Sequence, residues 1–246
     1  MADGIYTALS GAVAQQTAMD VISNNLANVS TSGYKGDQVV FKEVLATVNP
    51  DATNVHSEVA ELRHDFSQGQ LHYTKNPLDA ALMGPGFFVV DTPQGEKLSR
   101  QGSFRMRGDG MLQTVDGHLV MGQKGAIRLE PGAKVRMDSY GALFQTPQSQ
   151  GSQVGTGGET LVDRLRVVDV AKPEGLRREG HGLWDPGDNE LLPVATAVEP
   201  LALEQANVNP IKAMTQLIAV QRAYEQYNRT IEQIRSLEQK ATGQLG

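Results

Sequence analysis

In the first 28 residues the apolar positions fall on Ile5, Leu9, Ala12, Met19 and Leu26, at alternating spacings of four and three, with Gln16 and Ser23 completing the register. This is a heptad-like stripe two positions wide. It predicts an amphipathic helix over about 3–28, with Asp3 as its N-cap. At 1.5 Å per residue such a helix is a rod of roughly 37 Å. A matching pattern occupies 210–241, where Leu217, Tyr224, Ile231 and Ile234 share one face, flanked by Met214, Val220 and Tyr227. Asn209-Pro210 reads as the start of this helix and Gly243 as its stop, with Glu225 and Arg229 pairing on the solvated face.

Between the helices the period changes. From Gly84 to Gly122 short apolar runs alternate with turn residues, and Gln94-Gly95, Asp109-Gly110 and Asp116-Gly117 are hairpin-grade turns. Weaker echoes follow at 125–129, 134–145 and 165–185. The expected fold is therefore α+β, with N- and C-terminal α-helices forming a coiled-coil-like layer and a central antiparallel all-β domain. The expected divisions are a helical assembly domain (1–35 with 207–246), a connector (36–83) and a β-rich outer domain (84–206). Residues 46–70 carry scattered charge with little periodicity, and 146–159 read as a surface loop.

Composition narrows the chemistry. A chain of 246 residues with 39% hydrophobic content can bury a real core, whereas 5% aromatic content and 26 glycines favour turns and short strands over a bulky pocket. Net charge is -6 with Lys and Arg scattered, so no footprint for nucleic acid is present. The absence of cysteine excludes disulfides, thiolate catalysis and zinc–cysteine sites. No apolar run has the length of a membrane span, and the N-terminus lacks the pattern of a cleaved signal peptide. His56, His64, His72, His118 and His181 do not converge by spacing, so neither a metal nor a cofactor is expected. Asp109 with Asp116, or Glu199 with Glu204, could serve a hydrolase as an acid/base couple. Both aspartates precede glycine, however, which is turn chemistry. No catalytic residue is expected, and the chain is not expected to be an enzyme.

The apolar seams remain. They are narrow and are broken in register by Gln16, Ser23, Gln221 and Asn228, which suits packing against other subunits better than a purely internal hairpin. The expected subunit interface takes in Ile5, Leu9, Met19 and Leu26 on the first helix, and Leu217, Gln221, Tyr224, Tyr227, Ile231 and Ile234 on the second.

Four ordered stretches carry a resemblance: MDVISNNLANVSTSGYKGDQVVF (19–41), DFSQGQLHYTKNPLDAALMGPGFFVV (65–90), LSRQGSFRMRGDGMLQTVDGHLVMG (98–122) and NVNPIKAMTQLIAVQRAYEQYNR (207–229). Together they resemble the signatures of the axial proteins of the bacterial flagellum, the rod–hook family. The start IYTALSGA and the wording YTKNPLDAAL look most like proximal-rod members, while QRAYEQYNR is nearer the distal-rod members. Distal members carry a longer insertion after the first signature, for which residues 42–64 leave little room.

The resemblance implies a structural subunit of the basal-body rod, polymerising head-to-tail through its terminal helices into a hollow drive shaft. The implied partners are copies of itself, other flagellar rod proteins and the flagellar export apparatus. The implied location is the periplasmic rod, reached without a cleaved leader. On this reading Asn24, Asn25 and Asn28 become inter-helix hydrogen-bonding groups in a tube wall, and the formal glycosylation sequon at Asn28 loses its occasion. Gly33, Tyr34 and Lys35 become the joint where the chain leaves the helical layer. A competing reading is an exported β domain that binds cell-wall glycan, which needs an exposed aromatic platform from Trp184 and a few tyrosines.

Overall fold

The computed structural model describes residues 2–49, 52–146 and 158–243, and the chain divides into two compact units. A helical unit takes the N-terminal segment to Val29, Lys35–Phe66 and the segment from Val208 onward. A β unit takes Ser30–Tyr34 and Ser67–Asn207. The chain thus passes between units after Val29, Tyr34, Phe66 and Asn207.

The helical unit is built on α1 (Ala2–Ala27) and α2 (Pro210–Gly243). Because α1 begins at Ala2, Asp3 lies within its first turn and is not its N-cap. The start of α2 is as expected: Asn209 Oδ1 accepts hydrogen bonds from the Ile211 N–H at 3.0 Å and the Lys212 N–H at 3.1 Å. Pro210, with no N–H to leave orphaned, takes the first helical position.

The two helices pack on each other, with small residues on the α1 side of the contact. Ala8 and Ala12 of α1 cluster with Ile231 of α2, with Tyr224 and Tyr227 packed against them. A Cβ on Gly11 would come within 2.5 Å of Tyr227 Cε1, so only glycine lets the ring lie this close to the α1 backbone. Leu9, expected on the buried stripe, is 48% exposed. The α2 side of the contact is the expected face, Tyr224, Tyr227 and Ile231, and it meets small residues of α1, of which Ala12 lies on the expected stripe.

The same unit holds a long hairpin, β1 (Asp37–Asn49) and β2 (Ala52–His64), paired antiparallel from Asp37↔His64 to Asn49↔Ala52 with a bulge between Val40 and Phe41. Thirteen residues per strand give a ribbon of about 43 Å. The segment expected as an aperiodic connector is therefore mostly paired strand. The ribbon lies against α1, yet Phe41 and Leu62 are both about half exposed, so the alternation that marks a half-buried strand is weak.

The β unit is antiparallel throughout its described pairings. Its central strand, Phe87–Thr92, pairs with Gly95–Ser99, Leu119–Gly122 and Val167–Val170. With neighbours on both sides Phe87–Val90 is a continuous buried run, as a central strand requires. All three expected turns connect hairpins, at Gln94-Gly95, Asp109-Gly110 and Asp116-Gly117. A three-stranded sheet joins Lys134–Met137, Ala142–Thr146 and Thr160–Arg164. Residues 147–157 of the expected surface loop lie outside the described residues. Two short ladders bring the ends of the β-rich region together: Leu71–Tyr73 with Ala202–Glu204, and Ala80–Met83 with Ala197–Pro200.

Phe88 and Phe104 meet edge to face at 5.3 Å in the core, among Leu112, Val120, Ile127, Leu143 and Leu165. Phe88→Ala should lower the stability of this unit by about 3–5 kcal/mol. Trp184, the only tryptophan and 1% exposed, gives the readout: its fluorescence transition in urea should move to lower denaturant.

Candidate functional site

The segment after α1 does two things in turn. Asn25 Oδ1 accepts from the Asp37 N–H at 2.9 Å, and Asn25 Nδ2 donates to the Asp37 carbonyl at 2.8 Å. A primary amide is the short side chain that can satisfy a backbone donor and acceptor together, as a neighbouring strand would. Asp37 is pinned further, with its Oδ1 2.6 Å from His64 Nδ1. Asn28 Nδ2 donates to the Asn24 carbonyl at 2.9 Å and to Asn24 Oδ1 at 3.1 Å. The asparagines expected between subunits are thus engaged inside the chain, closing the end of α1 and fixing the root of the β1–β2 hairpin.

Ser30–Tyr34 then enters the β unit and is fastened there. Gly33 has φ +69°, its N–H donates to the Glu204 carbonyl at 2.7 Å, and a Cβ on it would lie 2.5 Å from the Arg100 carbonyl. Left-handed backbone and close approach both demand glycine. Tyr34 is buried under the Arg178 guanidinium, which stacks at 4.6 Å on the Tyr34 ring and at 4.6 Å on Trp184. The Tyr34 carbonyl accepts from the Asn207 N–H at 3.3 Å. Lys35 is buried as well, at 1% exposure. Of the expected joint, Gly33 and Tyr34 thus form a packed clasp within the β unit.

The residue that organises this clasp, Glu204, carried no such role in the sequence reading. It is 1% exposed; its Oε1 accepts from the Gly69 N–H at 2.8 Å and its Oε2 from Arg100 Nη1 at 3.4 Å. Arg100 also lies over the Phe87 ring at 5.2 Å. Burial pulls the Arg100 guanidinium below its ordinary pKa, and the Glu204 carboxylate opposes that pull. Arg100 and Glu204 lie far apart in sequence, and no local pattern marks a pair of this kind.

The helix faces are the other candidate surface. Of the expected interface, Tyr224, Tyr227 and Ile231 are taken up by the contact between α1 and α2, and Ile234 lies beside Gly4. Ile5, Met19, Leu26 and Leu217 are partly buried, while Leu9 and Gln221 are exposed. Tyr6, Leu9 and Val13 on α1, and Ile211, Met214 and Ile218 on α2, present their side chains to solvent.

Reactive groups are sparse. Among the described residues no three His, Asp or Glu side chains are placed to hold a metal. Asp109 sits in its turn, accepting the Met111 N–H at 3.1 Å and paired with Arg107, whose hydrogen bonds hold the carboxyl down at about 2. An acid ionised so far below neutrality cannot donate a proton to a leaving group. Trp184, needed as a glycan platform, is buried.

Glu204→Ala would leave the Arg100 guanidinium buried without its counter-charge, and should cost about 3–5 kcal/mol in urea titrations of Trp184 fluorescence. Glu204→Gln, which can still accept the Gly69 N–H, should cost less. Gly33→Ala should cost more than the roughly 1–2 kcal/mol of a left-handed residue alone, because its methyl meets backbone; a neutral Gly33→Ala would refute the clasp.

Three family models match in order along the chain: flagella basal body rod protein over residues 5–35, flagellar hook protein FlgE/F/G D1 domain over 81–158, and flagellar basal body rod FlgEFG protein C-terminal over 200–244. A flagellar basal-body rod protein FlgF of Mesorhizobium japonicum is 31% identical across 100% of this chain and 99% of its own length. A FlgG of Agrobacterium fabrum is 30% identical over 91% of this chain and 92% of its own. The FlgF of Salmonella typhimurium is 29% identical over 98% and 97%. With such relatives matching from end to end, the chain belongs to the flagellar basal-body rod family, as a structural subunit of that rod.

Proposed function

We propose that this chain is a proximal-rod subunit that polymerises through α1 and α2 into the hollow shaft that transmits torque. The observation that carries the reading is the pair of outward apolar stripes, Tyr6, Leu9 and Val13 on one terminal helix and Ile211, Met214 and Ile218 on the other. A monomer has no use for two such stripes, and a filament subunit needs two different faces. Ile5, Met19, Leu26, Leu217 and Gln221 flank or extend these faces and join them in the proposed interface. The proximal assignment is supported by FlgF relatives that match over the whole chain, where the FlgG of Agrobacterium fabrum matches over 91% of it.

The rod family assembles in the basal body with other rod proteins; export by the flagellar apparatus without a cleaved leader, and residence in the periplasm, follow from the same reading. The chain acts as a scaffold and not as a catalyst. The low pKa of Asp109 and the burial of Trp184 weigh against the hydrolase and glycan-binding alternatives.

Deleting this chain should leave cells non-motile, with basal bodies that lack hook and filament, and the full-length chain should restore both. Motile cells with complete rods after deletion would overturn the assignment. Electron cryotomography of the arrested basal bodies would place the missing density at the proximal or the distal rod.

A further inference from the structure

The two outward stripes differ in position and in charge. Tyr6, Leu9 and Val13 are 63%, 48% and 54% exposed; Ile211, Met214 and Ile218 are 75%, 51% and 52% exposed. Steps of three and four put each set on one helix face. Within the chain, Gly4 lies level with Ile234 and Gly11 with Tyr227. The helices are therefore antiparallel, and the α1 stripe lies beside 225–232 while the α2 stripe lies beside the far end of α1. The stripes occupy opposite ends of the helix pair, each facing away from the mutual contact.

A two-fold dimer would bury like against like, or both unlike pairs at once in a closed pair that leaves no stripe free. A copy shifted along the helix axis instead brings the α1 stripe of one against the α2 stripe of the next, and leaves one free stripe at each end. Charge favours pairing unlike stripes. In sequence α1 carries Asp3 and Asp20 and no Lys or Arg, whereas α2 carries Lys212, Arg222, Arg229, Arg235 and Lys240 against Glu225, Glu232 and Glu238. Pairing α1 with α1, or α2 with α2, sets like net charge together; pairing α1 with α2 sets opposite net charge together.

We propose that the α1 stripe of one copy docks antiparallel on the α2 stripe of a second copy, with Val13 opposite Ile211, Leu9 opposite Met214 and Tyr6 opposite Ile218. The steps of the two stripes run three-four and four-three in that direction, so they interlock. Val13 is level with about residue 225 of its own chain and with 211 of the next. That displacement of about fourteen residues sets an axial stagger of roughly 21 Å between copies. The proposal rests on the rod-subunit reading and adds to it the contact that repeats.

The lack of cysteine makes the test direct. Leu9→Cys with Met214→Cys, and separately Val13→Cys with Ile211→Cys, would each be expressed as the sole copy of the full chain, and isolated basal bodies would be mildly oxidised. In one chain the paired positions are about 21 Å apart along the axis, beyond disulfide reach, so every bond joins two copies. The expected result is a reducible ladder of dimers and higher species from both double variants, with each single variant remaining monomeric. Dimers from a single variant would mean like-with-like pairing and overturn the proposal, as would double variants present in basal bodies that give no cross-link. If a double variant does not enter basal bodies, the same cross-linking on purified, concentrated full-length protein is read by the same criteria. Absence of the wild-type chain from basal bodies would instead defeat the rod reading itself.

Discussion

Glu204 is where the connections of the β unit converge. Its carbonyl takes the Gly33 N–H, and its carboxylate takes the Gly69 N–H and faces Arg100. Gly33 lies in the short excursion Ser30–Tyr34, Gly69 follows the crossing after Phe66, and Glu204 precedes the crossing after Asn207. One residue thus ties together every segment by which the chain enters or leaves this unit. A carboxylate at 1% exposure persists only with its charge and lone pairs answered. Arg100 answers the charge, and its stacking on Phe87 anchors the ionic centre to the first residue of the central strand.

The helical unit obeys a different constraint. Its internal contact depends on residues that are small, Ala8, Gly11 and Ala12, which let the rings of Tyr224 and Tyr227 approach the α1 backbone. Large apolar side chains on α1 are thereby released to the opposite face. The usual inference that the largest apolar residues mark the buried side of a helix fails for a helix with two neighbours. Here the small residues serve the neighbour in the same chain, and the large ones are left for the proposed contact between copies.

This explains what could be read in the chain and what could not. Local signals were reliable: Asn209 and Pro210 at the start of α2, the Asp-Gly turns, and the unbroken apolar run at Phe87–Val90. The two helices were legible, and so was the α2 contact face with Tyr224, Tyr227 and Ile231; on α1 only Ala12 of the expected stripe joins the contact, because heptad counting weighs leucine above alanine. The β1–β2 hairpin is hard to read from the chain because large apolar residues such as Phe41 and Leu62 stay half exposed in it, which blurs the alternation of a half-buried strand. Asn25 and Glu204 were missed as organisers because their partners, Asp37, Gly69 and Arg100, come near only in the folded chain. The motif NLANVSTSGYKGD announced that something mattered there, and the structure supplies the reasons: an amide for Asp37, a glycine for the Arg100 backbone, a ring for Arg178.

The gathering of all chain crossings at one cluster makes the β unit a cassette. Its interior can lengthen, shorten or change surface without altering where the chain departs from the helices or where it returns, so long as Gly33, Gly69, Arg100 and Glu204 keep their mutual contacts. One helical unit can therefore be combined with different β units. A machine assembled from many related parts along a common axis needs parts of that kind.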